Sequence, residues 1–340
     1  MSTFQYAEIK EAIQEAQQIV IISHKSPDGD AIGSSLGLAH VLRALDKEVT
    51  VTVPDAFPQF LQWMPGQKDI LRFDLHGNDV REALTKADLI FTLDFNALHR
   101  IGEEFGSEVA HAKAPKILVD HHREPSDFYT YAVHDIESCS TAQLVYELIE
   151  AAEYDHLLNV EAAECLYSGI LTDSGSFRFP STSARTHEIV ARLIDTGLNI
   201  SKVYNKIYDN NSLSRIRLLG YVLGKKLKVN RDFSLAYITL SLEEMNTYHY
   251  KPGDTEGFVN YALSVSGIRF ACIMKEMEEG VKMSFRSKGN LDVNQFSRRY
   301  FSGGGHLNAA GGVSPMGLQE TEQHFVEVAK GYVDEWRGKK

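Results

Sequence analysis

The sequence predicts an α/β protein: a parallel-sheet N-terminal domain joined by a helical connection to a smaller α+β C-terminal domain. Three observations lead there. Apolar runs at residues 19–23, 48–53, 88–94 and 116–120 are separated by longer stretches, one of them (31–45) helical in pattern, as in βαβ units with right-handed crossovers. The runs at 19–23, 88–94 and 116–120 are continuous rather than alternating, which suits strands covered on both faces. After residue 224 the pattern changes to shorter strands and one closing helix, and 340 residues suit two domains.

Taken in order, residues 4–17 carry helical spacing, 19–23 read as a buried strand, 31–45 as a helix and 48–53 as a strand. Strands at 88–94 and 116–120 follow. Residues 140–223 read as mostly helical, at 140–153, 159–172, 183–196, 199–208 and 212–224, with Ser181-Thr182-Ser183 supplying an N-cap for the third. The C-terminal pattern is strands at 225–230, 235–240, 269–277 and 281–286, then a helix over 318–336. The expected division is therefore 1–195, a helical linker over 196–224, and 225–340.

Bulk properties narrow the function classes. Hydrophobic residues at 43% and charged residues at 24% fit a chain that buries real cores. No apolar run approaches the ~18–20 residues of a membrane span. The first residues lack a basic stretch followed by an apolar one, so no secretory signal is read. Cys139, Cys165 and Cys272 form no CxxC pair, which suits a reducing compartment. These points predict a cytoplasmic location and no membrane partner. The net charge of −11, from 35 Lys+Arg against 46 Asp+Glu, argues against binding long duplex nucleic acid by charge alone.

The chemistry is concentrated at strand ends. Ser23-His24-Lys25-Ser26-Pro27-Asp28-Gly29-Asp30 follows one strand and opens a helix, where an open α/β sheet places its site. Asp94 ends a second strand and Asp120-His121-His122 a third, while Asp173 ends the apolar helix 159–172. A solvated Asp-Gly turn would explain the first motif alone; three strand ends delivering His or Asp to one face of a sheet point to a shared site. Two imidazoles (His24, His121), four carboxylates (Asp28, Asp30, Asp94, Asp173) and no thiolate favour hard divalent cations, Mn²⁺ or Mg²⁺ with Co²⁺ or Fe²⁺ as further options, over structural zinc. Six ligands suit two ions ~4 Å apart that share one carboxylate and activate a water. In the C-terminal part, Gly303-Gly304-Gly305-His306 presents backbone N–H groups next to an expected helix start, a cradle for anions, or else forms a hairpin tip. Arg286, at a strand end, suits bidentate phosphate contact, and Arg298 and Arg299 add positive charge.

These motifs resemble the DHH phosphoesterase superfamily, in its two-domain form with a C-terminal DHH-associated domain, over nearly the whole chain. The resemblance implies one metal on His24, Asp28 and Asp94 and a second on Asp30, Asp94, His121 and Asp173. It implies that Asp120 supports the site without ligating, and that His122 contacts the scissile phosphate. Arg286, Ser287, Gly303, Gly304, Gly305 and His306 become substrate contacts in a cleft whose closure completes the site. The branch most similar in length and architecture degrades short oligoribonucleotides (nanoRNA) and dephosphorylates 3′-phosphoadenosine 5′-phosphate (pAp). The expected cofactors are two divalent ions, Mn²⁺ first, with Mg²⁺ or Co²⁺ as alternatives; the expected partner is a short RNA or nucleotide, and a homodimer is allowed. A linear or cyclic dinucleotide (pApA, c-di-AMP) phosphodiesterase is the alternative, ahead of an inorganic pyrophosphatase or exopolyphosphatase and of a nucleotide-binding regulator without turnover.

Overall fold

A computed structural model describes residues 2–338 as two compact units, one up to Asn210 and the other from Asn211 onward. The N-terminal unit runs β1 (Thr3–Phe4), α1 (Tyr6–Glu15), β2 (Gln18–Ser23), α2 (Gly29–Ala44), β3 (Glu48–Val53), β4 (Leu71–Arg72), α3 (Phe73–Lys86) and β5 (Leu89–Leu93). It continues through α4 (Glu103–His111), β6 (Lys116–Asp120), β7 (Tyr131–His134), α5 (Thr141–Ala151), α6 (Val160–Asp173), α7 (Ala184–Asp195) and α8 (Ile200–Tyr208). Its seven strands lie in the order β1-β7-β6-β5-β2-β3-β4, parallel except at β1. The chain leaves β2 toward β3 and β4, then returns to the other side of β2 for β5. The reversal between β2 and β5 makes the loops at their carboxyl ends diverge, which opens a crevice there.

The continuous apolarity of the strands has the expected cause, because both sheet faces are covered. Ile21, Phe91, Val119 and Leu93 pack against α2, α5 and α6 on one side, and Val20, Ile22 and Ile90 pack against α3 and α4 on the other. Helix α2 is buried almost all round and is built from small residues. A Cβ at Gly33 would lie 2.5 Å from the Cys165 carbonyl oxygen and 2.8 Å from Gly169 N. Backbone-to-backbone approach of α2 and α6 therefore requires glycine at this point.

The C-terminal unit contains α9 (Leu213–Tyr221), β8 (Lys228–Asn230), β9 (Leu235–Leu240), α10 (Leu242–Thr247), α11 (Phe258–Ser264), β10 (Phe270–Glu276), β11 (Val281–Ser287), α12 (Val293–Tyr300), β12 (Gly304–Gly305), β13 (Ala309–Ser314) and α13 (Leu318–Gly338). The sheet order is β12-β13-β11-β10-β9-β8, with only β9 and β10 parallel. Phe270, Phe285, Phe296 and Phe325 fill the core on one face, and Leu218, Ile238, Phe258 and Ile273 that on the other.

Two sequence expectations need correction here. The glycine-rich segment does not stand beside a helix start: Gly304 and Gly305 form β12, paired antiparallel with Gly311 and Ala310 of β13. A side chain at Gly303 would run into the Gly311 carbonyl, so the glycines permit a tight hairpin. The strand expected over 225–230 is only Lys228–Asn230, because Val222–Lys226 continues α9 as a π-helical turn. Among the described residues no helix is long and apolar enough to cross a membrane.

Gly33→Ala should lower the melting temperature by roughly 3–10 °C through overpacking at the α2–α6 contact. Gly220→Ala, in α9, adds a Cβ that meets nothing within 4 Å and gains helix propensity, so it should be neutral or slightly stabilising. Equal effects of the two variants in thermal denaturation would contradict the close approach.

Candidate metal centre

His24 and Asp28 lie in the loop that follows β2, and Asp30 lies in the first turn of α2. Asp28 is the N-cap of that helix, and its Oδ1 accepts from Asp30 N at 3.0 Å and Ala31 N at 3.1 Å. Asp94 directly follows β5 with φ +67°, a left-handed conformation that Asp tolerates better than most residues. Asp120 ends β6, with His121 and His122 behind it, and Asp173 is the last residue of α6.

These residues converge on Asp94. His24 Nε2 lies 3.3 Å from Asp94 Oδ2 and 3.9 Å from Asp28 Oδ1. His121 Nε2 lies 3.5 Å from Asp94 Oδ1, 3.4 Å from Asp173 Oδ2 and 3.9 Å from Asp30 Oδ2. Asp94 joins Asp120 and His122 in one donor triad and stands in two more, His24/Asp28/Asp94 and Asp30/Asp94/His121, each with ligand atoms within 4.8 Å of one another. The last two share Asp94, one oxygen facing each side. The histidines are oriented by carbonyls, which only accept. His24 Nδ1 donates to Lys25 O at 3.0 Å and His121 Nδ1 to Ser138 O at 3.2 Å, so both turn Nε2 toward the carboxylates. His122 Nδ1 donates to Asp120 Oδ1 at 2.7 Å, and the backbone oxygen of His122 accepts from His134 Nε2 at 2.7 Å.

The electrostatics are those of like charges confined together. Burial, then the charges of Asp94 and Asp173, pushes the Asp30 carboxyl well above its usual range. Burial, then Asp28 and Asp94, outweighs His121 and pushes Asp173 up to about 6. For Asp94 burial acts in the same sense, but hydrogen bonds from His121 and His24 overcome it and hold the group well below the normal range. Burial alone would depress the two imidazoles. Instead Asp94 and the neighbouring carboxylates raise His24 to about 9 and His121 well above its usual value. No lysine or arginine among the described residues pairs with Asp28, Asp30, Asp94, Asp120 or Asp173; their ion-pair neighbours are histidines. Buried carboxylates facing imidazole nitrogens, with no cationic side chain among them, are a donor set that fits hard divalent cations.

One participant escaped the sequence reading. Thr141 N donates to Asp30 Oδ2 at 2.7 Å, Ala142 N to Asp30 Oδ1 at 2.9 Å, and Thr141 Oγ1 to Asp94 Oδ1 at 3.0 Å. Ser140-Thr141 ahead of an apolar run was legible as a helix start. Its link to residues more than forty positions away was not.

In the C-terminal unit, Arg286 lies in β11, with Nη1 donating to Phe285 O at 3.0 Å. Ser287 is buried. Its hydroxyl donates to Leu291 O at 2.6 Å and accepts from Asn308 Nδ2 at 2.8 Å, so it braces the segment leading to the hairpin. Gly303 leads into β12, the Gly305 N–H donates to Asn294 Oδ1 at 2.9 Å, and His306 N donates across the turn to Ala309 O at 2.7 Å. Of the six residues expected to touch substrate, Arg286, Ser287, Gly305 and His306 thus have internal partners.

The DHH family N-terminal domain matches residues 18–170, and the DHHA1 domain matches residues 234–335. The chain is 30% identical to the bifunctional oligoribonuclease and PAP phosphatase NrnA of Thermus thermophilus, over 95% of this chain and 92% of that one. This protein is a DHH-family phosphoesterase. It thus belongs to the hydrolases of phosphoester bonds. As a DHH-family chain it is also similar to a crystal structure of an exopolyphosphatase-related protein from Bacteroides fragilis, at 42% identity and a TM-score of 0.93, covering 98% of this chain and 97% of that one. The cyclic-di-AMP phosphodiesterase GdpP of Geobacillus thermodenitrificans is 27% identical over 96% of this chain, which spans 49% of that protein.

The raised groups fix the pH response of protein held in chelator. A pKa raised on folding means the native state holds its proton longer than the unfolded chain, so stability falls as pH rises across that interval. For Asp173 the interval runs from its ordinary 3.8 to about 6, and for His24 from 6.5 to about 9. The melting temperature in EDTA should therefore drop between pH 6.5 and 9. Excess Mn²⁺ or Mg²⁺ should remove or invert the drop, because cations bind the deprotonated ligands. Identical pH profiles with and without the cation, measured by differential scanning fluorimetry, would rule out a cation site in this cluster.

Proposed function

We propose that this DHH-family phosphoesterase hydrolyses short oligoribonucleotides, pAp, or both to mononucleotides, acting in the cytoplasm with two divalent cations, Mn²⁺ foremost. The pair of donor triads meeting at Asp94 carries the chemical part of the reading. End-to-end likeness to a bifunctional oligoribonuclease and PAP phosphatase supports the substrate class.

In this reading His24, Asp28 and Asp94 hold one cation, and Asp30, Asp94, His121 and Asp173 hold the other. Bound there, the ions supply Lewis acidity to a phosphoryl group and to the attacking water. The protein's own groups do the remainder. Asp120 accepts the Nδ1 proton of His122 and so fixes the ring, leaving Nε2 for a phosphoryl oxygen. The carbonyl-anchored His24 and His121 cannot rotate without losing a hydrogen bond, so the shared carboxylate keeps its two faces distinct. Residues 225–340 supply recognition, with Arg286 and His306 on the part of the substrate away from the scissile bond and the 303–305 glycines allowing close backbone approach.

A dinucleotide phosphodiesterase is the second reading, favoured by the likeness to GdpP. Initial rates on pAp, a 5′-phosphorylated dinucleotide, a five-mer, cyclic di-AMP and pyrophosphate, measured side by side, separate the readings. A rate on cyclic di-AMP well above those on pAp and the short RNAs would overturn the first.

Asp94→Asn should reduce kcat by at least ~10²-fold with an unchanged circular dichroism spectrum, since the residue serves both triads. Wild-type turnover in that variant at saturating Mn²⁺ would remove Asp94 from the mechanism.

Charge predicts a limit on substrate length. With a net charge of −11 the surface offers no general attraction to a long polyanion, so contacts beyond the site gain little. kcat/KM should be highest at mono- and dinucleotide size and fall steeply beyond about five nucleotides. The log–log salt slope should lie near −1 to −2, against roughly −6 or steeper for a protein making many phosphate contacts. RNAs of two, three, five and twenty-four nucleotides, assayed across a salt series, test this. A kcat/KM that stays level or rises with length would reject it.

A further inference from the structure

We infer that Thr141 is a positioning residue for the carboxylate pair Asp30–Asp94, and that its hydroxyl sets the affinity of only one of the two cation sites. The inference rests on the two-cation reading above and deepens it.

Thr141 is fully buried at the first position of α5, behind its N-cap Ser140, whose hydroxyl accepts from Gln143 N at 3.0 Å. Its backbone N–H and that of Ala142 each take one oxygen of Asp30, so that carboxylate is gripped at both ends by N–H groups which no helical carbonyl can satisfy. The amides lie at the positive end of the helix dipole, which favours the ionised carboxylate. Asp30 is thereby fixed in rotation as well as position. Glycine at 169 makes room for this, because a Cβ there would come within 2.8 Å of Asp30 Oδ1 and 2.6 Å of the Ala142 Cβ.

The hydroxyl makes the asymmetric contact. Thr141 Oγ1 donates to Asp94 Oδ1, the oxygen that faces His121 at 3.5 Å, whereas Oδ2 faces His24 at 3.3 Å. Thr141 thus ties the Asp30, His121 and Asp173 side of the shared carboxylate to the helix holding Asp30. The His24–Asp28 side has no comparable contact with α5. Asp94 sits in a left-handed backbone conformation just past β5, where its N–H still donates to Val119 O of β6 at 3.1 Å. The hydroxyl adds a hold on the side chain on one side only.

The test is calorimetric titration of chelator-treated protein with Mn²⁺, with circular dichroism and steady-state kinetics on a 5′-phosphorylated dinucleotide in parallel. Thr141→Val keeps the volume and the backbone N–H but removes the hydroxyl. It should bind one of two Mn²⁺ ions with wild-type affinity and the other roughly 10–100-fold more weakly, the range for loss of a residue that orients a ligand. At sub-saturating Mn²⁺, kcat should fall with KM within about 3-fold, and raising Mn²⁺ should restore kcat. Thr141→Ser, which retains the hydroxyl, should match wild type within about 3-fold on every readout. If Thr141→Val does not fold, Thr141→Ala is judged by the same criterion.

Unchanged affinities at both sites, equal weakening of both, or a Thr141→Ser variant as impaired as Thr141→Val would each overturn the inference while leaving the two-cation reading intact. Wild-type protein that binds fewer than two Mn²⁺ ions would overturn both.

Discussion

Three nearly solvent-free carboxylates, Asp30, Asp94 and Asp120, with Asp28 and Asp173 close beside them, must remain within a few ångströms of one another in the folded chain. Left in a low dielectric without compensation, such charges repel strongly and would push the loops apart or take up protons. The surrounding structure answers this requirement with imidazoles rather than ammonium or guanidinium groups. A lysine or arginine here would neutralise the cluster permanently and occupy the space in which a cation could act. Histidine offers a neutral donor nitrogen when a cation is present and a proton when it is not, so the same residues tolerate both conditions. Burial and the neighbouring carboxylates push Asp30 and Asp173 up, whereas hydrogen bonds from His121 and His24 hold Asp94 down, so the shared carboxylate is the one the imidazoles keep ionised.

Meeting that requirement dictates much of the N-terminal fold. A parallel sheet brings several carboxyl ends to one edge, and the reversal between β2 and β5 separates the two central loops enough for side chains to enter between them. Helices α5 and α6 must then approach α2 closely enough for the amides of Thr141 and Ala142 to reach Asp30. Gly33 and Gly169 allow it, each standing where a methyl group would strike backbone or the carboxylate itself. Packing and chemistry meet at these glycines. They narrow the distance between helices, and that distance is what places a helix N-terminus against a buried charge.

How much of this was legible follows from what each element depends on. β2, β5 and β6 were readable because their apolar runs are continuous, as in strands buried on both faces, and β3 because its valines and threonines are strand formers. The site motifs were readable because ligand chemistry needs particular residue types at strand ends. By contrast β13, Ala-Ala-Gly-Gly-Val-Ser, has almost no intrinsic strand preference and exists because β11 offers it a partner along six residues. Helix α3 is broken in pattern by Gly77 and in conformation at His76, which hid it from periodicity. The glycine-rich segment was read as the approach to a helix because such loops often precede one. What decides its form is the close approach of Gly303 to Gly311, a contact between segments that no local pattern encodes. Thr141 belongs to the same class: the Ser140 cap before it announced a helix, while its backbone N–H bonds a carboxylate 111 positions away.

In the proposed reading, chemistry and choice of substrate come from different parts of the chain. Likeness to proteins described as oligoribonuclease, PAP phosphatase and cyclic-di-AMP phosphodiesterase extends through both units, so the first unit's donor set alone does not select among them. In that reading, selection falls to groups in the second unit. Ser287 and the Gly305 amide are tied to Leu291, Asn308 and Asn294, and their contribution is to hold β11 and the hairpin in register. In the proposed reading the guanidinium of Arg286 and the ring of His306 are the groups whose hydrogen-bonding geometry can differ between a terminal phosphate and a bridging phosphodiester. A planar, always-charged fork can engage two oxygens of either group, but a terminal phosphate carries about twice the charge of a phosphodiester and so binds it more strongly. In the proposed reading Arg286 therefore favours substrates with a terminal phosphate on the part away from the scissile bond, which pAp and a 5′-phosphorylated dinucleotide carry and a cyclic dinucleotide lacks.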